Sequence, residues 1–177
     1  MKRCSIERRR WLASVLGASA LLAAGAAPAA PAIETFHAGT WAAQFARPAR
    51  PAVVVFSTTE CVHCPGVIRG LADRLRQYKM RGMLVAVVMD GFTPDELAQH
   101  AHYRLADRLM AFEGPLPALR HSVNPAWRGV APYVAFLLPG LPVDFVVGVP
   151  AAERVEAWMA AARAGGALTA QPSKETR

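Results

Sequence analysis

Apolar positions along the chain follow two rhythms. Ala52-Val53-Val54-Val55-Phe56 and Met83-Leu84-Val85-Ala86-Val87-Val88-Met89 are unbroken runs, the pattern of strands covered on both faces. Between them Val67, Leu71, Leu75 and Tyr78 recur at helical spacing while Arg69, Asp73 and Arg76 take the other side, which predicts a helix over about 62–80 packed by one face on a sheet. Strand, helix and strand in that order make a β-α-β unit, whose crossover is right-handed.

The flanking segments extend this α/β reading. Thr40 to Ala46 reads as a short helix, set apart from the first strand by Pro48 and Pro51. Thr93-Pro94-Asp95-Glu96 combines an N-cap, an N1 proline and an N3 glutamate, and Leu97, Ala101, Leu105 and Leu109 continue as a stripe, so a helix is predicted to about Phe112. Gly114 to Ala126, rich in proline and polar residues, reads as a loop. Two strands follow, Tyr133 to Leu138 and Val143 to Val147, joined by a turn around Pro139-Gly140-Leu141-Pro142. A helix from Ala151 to about Arg163 buries Val155, Trp158, Met159 and Ala162 and is ended by Gly165 and Gly166; residues 167–177 read as a disordered tail.

Residues 1–32 read as an export signal. Lys2, Arg3, Arg8, Arg9 and Arg10 precede an Ala/Gly/Leu-rich run from Trp11 to about Ala27, and Ala27-Pro28-Ala29 and Ala30-Pro31-Ala32 both fit a small-residue cleavage site. The run is short for a membrane span and is broken by Pro28, so no stable span is expected after cleavage. Arg8-Arg9-Arg10-Trp11-Leu12 is similar to a twin-arginine signal, although a basic n-region alone also suits general secretion. Five of the 20 basic residues and one of the 13 acidic ones lie in 1–32, so the formal +7 falls to +3 for the remainder. The remaining cations are scattered and not interleaved with aromatic residues, which excludes a nucleic-acid platform. Residues 33–166 suffice for one domain with a real core.

The candidate chemistry lies in Cys61-Val62-His63-Cys64, between the first strand and the helix that follows it. Two thiols at this spacing can make and break one disulfide. Only the thiolate attacks a disulfide, and a helix N-terminus stabilises that anion through its unpaired N–H groups and dipole. Cys61 is thereby the candidate nucleophile and Cys64 the resolving thiol, with Pro65 tolerated in the first turn. His63 favours the Cys61 thiolate and so makes the disulfide a stronger oxidant; the charge of Glu60 opposes it. Zinc needs further ligands, and Cys4 lies in the export signal. A c-type haem needs histidine at position 65, where proline stands. A structural disulfide across so short a loop constrains the unfolded chain little. His100 and His102 sit two apart on different helix faces and read as solvated rather than as a metal pair; His121 falls in the predicted loop.

The order β-α-β then β-β-α, with CxxC opening the first long helix, resembles the thioredoxin fold over nearly all of residues 33–166. Pro132, Gly140 and Gly148 are spaced as the cis-proline, hairpin glycine and strand-end glycine of that fold. The resemblance implies a cis Ala131-Pro132 bond that faces the CxxC and binds substrate backbone, with a helix-and-loop insertion before it. Glu60 and Val62-His63 depart from the thioredoxin active site, and Val55 stands where thioredoxins bury an acid. His63 before the second cysteine is similar to the periplasmic Dsb-type oxidases, whose helical insertion is much longer. The expectation is an exported, periplasmic thiol-disulfide oxidoreductase that acts on protein thiols and disulfides with a redox partner protein and uses no cofactor or metal beyond Cys61 and Cys64. The alternative is a Cu(I)-handling protein of the same fold, since thiolates suit that soft ion.

Overall fold

The computed structural model describes residues 32–80, 83–90, 93, 96–97 and 100–169, with side chains to 165. The segment expected to be an export signal, apart from Ala32, and the tail beyond Thr169 lie outside the described residues. Strands β1 (Ile33–Phe36), β2 (Ala52–Ser57), β3 (Leu84–Val88), β4 (Arg108–Phe112), β5 (Tyr133–Leu137) and β6 (Asp144–Val147) form one sheet. Its order is β1-β4-β3-β2-β5-β6. The pairs β1/β4, β4/β3 and β3/β2 are parallel, whereas β2/β5 and β5/β6 are antiparallel. The helices are α1 (Cys64–Gln77), α2 (Leu116–Val123) and α3 (Ala152–Thr169).

The unbroken apolar strands have the expected cause. Val53 and Val55 of β2, Leu84, Ala86 and Val88 of β3, and Val134 and Phe136 of β5 pack with residues of α1 and α3 on one face. Val54, Phe56, Val85, Val87, Ala135 and Leu137 alternate to the other, where Phe36, Trp41, Phe45, Leu119, Val123 and Trp127 cover them. Both sheet faces are therefore buried in a three-layer arrangement.

Four expectations need correction. No element was assigned to 33–39, yet Ile33–Phe36 forms edge strand β1. The predicted helix from Thr93 begins as expected: the Thr93 N–H donates to Glu96 Oε2 at 3.0 Å and the Glu96 N–H to Thr93 Oγ1 at 3.3 Å. It does not reach Phe112. Ala101–Leu105 is a 3₁₀ turn, Ala101 is exposed, and 108–112 is β4. The run Leu109-Met110-Ala111-Phe112 supplies apolar groups to both faces and pairs the free edge of β3, which a helix buried on one side would leave open. The predicted loop over 114–126 contains α2, which buries Leu119 and Val123 one turn apart and tolerates Pro115 and Pro117 at its start. The short helix expected over Thr40 to Ala46 is present, as a single π-helical turn, Trp41–Phe45. Finally α3 runs through Gly165 and Gly166 to Thr169, so the glycine pair does not end it. Among the described residues, the insertion before Pro132 thus holds the start of a helix at 96–97, a 3₁₀ turn, a strand and a helix in place of one helix and a loop.

Candidate active site

The site is built where β2 leaves the sheet. Ser57 ends β2, a turn over 58–61 follows, and α1 begins at Cys64 with His63 as N-cap and Pro65 in its first turn. The helix therefore starts two residues later than the sequence pattern suggests, which places Cys64 at the first helical position. Cys61 and Cys64 are joined in a disulfide, with their Cα atoms 5.4 Å apart. The two sulfurs differ in access: Cys61 is partly exposed and Cys64 fully buried. The Cys64 N–H points at Cys61 Sγ, 3.2 Å away. This amide of the helix start, which the Cys61 carbonyl also accepts at 3.3 Å, is thus already directed at the sulfur that would carry negative charge after reduction.

His63 and Glu60 are both exposed, and no side-chain hydrogen bond from His63 caps the helix. The Ala131-Pro132 bond is cis. Register puts it beside the disulfide turn, because Phe56 lies opposite Tyr133 and Pro132 and Ser57 therefore flank the same rung of the sheet. The Gly148 N–H donates to the Pro132 carbonyl at 2.8 Å. The loop before Pro132 is held from α2: Asn124 Nδ2 donates to the Tyr133 hydroxyl at 2.7 Å, Trp127 Nε1 donates to the Val130 carbonyl at 3.1 Å, and the Trp127 and Tyr133 rings stack at 4.4 Å. Gly129 is needed there. Its φ is +87°, and a Cβ would lie 1.7 Å from the Arg120 guanidinium.

A groove of about 270 Å³ lies between α1 and the start of α3, lined by Val62 and His63, the two residues between the cysteines, and by Gly66, Gly70, Val149 and Pro150 among others. Val62, next to Cys61 in the chain, is 84% exposed and Val149 61%, so the groove presents apolar surface to solvent.

Sequence patterning missed the groups that hold the disulfide turn. Asp90 Oδ2 accepts the Thr59 N–H at 2.8 Å and its hydroxyl at 2.6 Å, and Tyr103 reaches Ser57 from the 3₁₀ turn. Their partners are 31 and 46 residues away, beyond any local period. The histidines also differ from expectation. His102 is half-buried, its ring 4.1 Å from that of Tyr103, and Nε2 has no hydrogen-bond partner among the described residues. Burial, with smaller contributions from His100 and Arg69, holds its pKa below the ordinary 6.5. His121 lies exposed in α2.

The His102 shift makes stability depend on pH. The unfolded chain takes up a proton near 6.5 while the folded chain resists it, so stability is expected to fall as pH drops below about 6.5 and to level off once pH passes the folded pKa. Glu34 and Glu96, held below 4.5 by hydrogen bonds from Arg108 and Thr93, add their own loss only at lower pH. Denaturant midpoints of the oxidised protein from pH 8 to 5 test this. His102→Phe, which keeps the ring contact, should flatten the curve in that window, and an unchanged slope would refute the assignment to His102.

A central sheet with α1 and α3 on one face, a cis-proline just before β5 and a CxxC disulfide at the start of α1 together define a thioredoxin-like fold. Among solved structures, the chain is similar to a thiol:disulfide interchange protein of the thioredoxin family from Chlorobium tepidum TLS, at 17% identity and a TM-score of 0.50 over 64% of this chain and 80% of that one. It is also similar to a putative thiol:disulfide interchange protein DsbE from Chlorobium tepidum, at 23% identity and a TM-score of 0.48 over 64% and 79%. A secreted Mycobacterium tuberculosis disulfide oxidoreductase homologous to E. coli DsbE matches at 17% identity and 0.46 over 65% and 81%. No protein-family model and no curated protein matches the chain.

Proposed function

We propose that this protein is an exported thiol-disulfide oxidoreductase, exchanging disulfides with protein substrates through Cys61 and Cys64. The observation that carries the reading is the asymmetry of the disulfide. The accessible sulfur, Cys61, receives a helix N-terminal N–H, and the other is fully buried. A client thiolate meets Cys61 first, and the displaced Cys64 stays poised to reverse or complete the exchange. The name of the C. tepidum interchange protein, whose fold this chain shares, points to the same chemistry.

Cys61 acts as nucleophile in the reduced protein and Cys64 resolves the mixed disulfide. His63 favours the Cys61 thiolate from the helix start, and Ala131 and Pro132 present backbone to the client strand. The apolar groove beside Cys61 receives side chains next to the client cysteine, which suits unfolded or extended protein segments better than small thiols. Export rests on the basic and apolar character of residues 1–32. Among the described residues no helix is long and apolar enough to cross a membrane.

Equilibration of the purified protein in glutathione buffers tests the reading, with copper assayed on the same sample. The expected result is one two-electron transition at a potential above about −300 mV, the level below which disulfides resist glutathione and are structural. A potential below that level would sink the proposal, as would stoichiometric Cu(I) binding without any exchange.

A further inference from the structure

One buried side chain outside the CxxC reaches the disulfide turn. Tyr103 is completely buried in the 3₁₀ turn, in the core shared with α1. Its hydroxyl lies 2.9 Å from Ser57 Oγ and 3.3 Å from the Thr58 carbonyl oxygen. Ser57 Oγ donates to that same carbonyl at 3.1 Å, and the Cys61 N–H donates to it at 3.2 Å. Two hydroxyl protons serve these three contacts, and whichever of Ser57 and Tyr103 donates to the other, the remaining proton goes to the Thr58 carbonyl. Burial pushes the phenol up to about 12, so it remains a donor at any pH where the protein works. Across the turn, Asp90 holds the backbone and hydroxyl of Thr59. Thr58 is thereby fixed from the core and Thr59 from outside, and Cys61 is hydrogen-bonded directly to the carbonyl that Tyr103 caps.

We infer that Tyr103 is a positioning residue for the Cys61 thiolate: by holding the Thr58 carbonyl it keeps Cys61 Sγ where the first N–H of α1 meets it. This rests on the exchange reading and extends it to a residue that touches neither sulfur. In the reduced protein Cys61 loses its proton to solvent, and the Cys64 N–H is the charge-assisted donor that stabilises the anion. Without the phenol the turn loses one of the anchors on Thr58, Sγ is held less closely to that N–H, and the thiol form gains population.

Tyr103→Phe is the test, since it keeps the ring packing and leaves Ser57 Oγ still able to donate to Thr58. The reaction followed is protein disulfide plus two glutathione thiols giving protein dithiol plus one glutathione disulfide. The Cys61 pKa, read from thiolate absorbance of the reduced protein, is expected to rise so that the thiolate fraction falls about threefold at pH values below it. The glutathione equilibrium should move about threefold toward the protein disulfide, a potential about 15 mV more negative. Ser57→Ala should shift both readings in the same direction by less, and it serves if the phenylalanine variant does not fold. A tyrosine with a merely structural role would lower the Tm of oxidised and reduced forms alike and leave pKa and potential at their wild-type values, which would overturn the inference. If the wild-type protein does not exchange with glutathione at all, the exchange reading fails, while the pKa comparison still decides what Tyr103 does.

Discussion

Cys64→Ser is expected to convert the protein into a trap that accumulates as mixed disulfides with its clients, whereas Cys61→Ser should abolish exchange outright. The reason is geometric. Cys61 is the sulfur that solvent and a client can reach, and Cys64 is buried beneath it at the first position of α1. Once a client is bonded to Cys61, the neighbouring thiol attacks intramolecularly, and well-oriented groups of that kind act with effective molarities of about 10⁵ M or more. An external thiol at millimolar concentration cannot match this, so resolution should slow by at least about 10³-fold. Non-reducing gels and mass spectrometry of each variant, recovered from the compartment where it resides, provide the check. Client adducts on Cys64 in the Cys61→Ser protein, or none on Cys61 in the Cys64→Ser protein, would reverse or remove the assigned roles.

The largest effect on stability is expected at Phe56. Its side chain is fully buried on the face of β2 opposite α1, where its ring centroid lies 5.0 Å from Trp127, 5.8 Å from Phe36, 6.0 Å from Trp41 and 6.2 Å from Tyr133. It therefore joins β1, the π-helical turn and the loop before the cis-proline across the middle of the sheet. Phe56→Ala removes those contacts and leaves a cavity that rigid neighbours cannot fill, at a cost of about 3–5 kcal/mol. For a domain whose stability is of the order of 5–15 kcal/mol, this lowers the denaturant midpoint by a large fraction of its value. Val147→Ala on β6, at a side chain 61% exposed, is the matched control and should stay within about 0.5 kcal/mol. Equal losses in the two variants would mean that the aromatic cluster is not the core it resembles.

Strand and helix existence was legible wherever burial has one simple period. The valines of β2 and the run through β3 have no polar residue facing either side, so only a doubly covered strand accommodates them, and the Val67-Leu71-Leu75 stripe admits only a helix packed by one face. The disulfide unit was legible for the same local reason, since Cys61, Cys64 and Pro65 lie within a single turn at the boundary of two such elements. The segment 93–112 was not. Its capping box starts a helix as the residues dictate, but Leu105 and Leu109 satisfy a helical stripe while Leu109 to Phe112 equally satisfies a strand buried on both faces.

By itself the sequence determined the β-α-β unit, the chemical pair within it and the order of the last two strands and helix, because each depends on contacts between residues a few positions apart. The tertiary structure alone decided that β3 has β4 as a further neighbour, that Ile33–Phe36 pairs the outer edge of β4, and that Asn124 at the end of α2 holds Tyr133 beside Pro132. It alone brought Asp90 and Tyr103 to the turn that carries Cys61. Those choices are settled by which sheet edge and which backbone carbonyl would otherwise be left unpaired in the interior, a cost that falls on groups tens of residues apart and leaves no period in the chain.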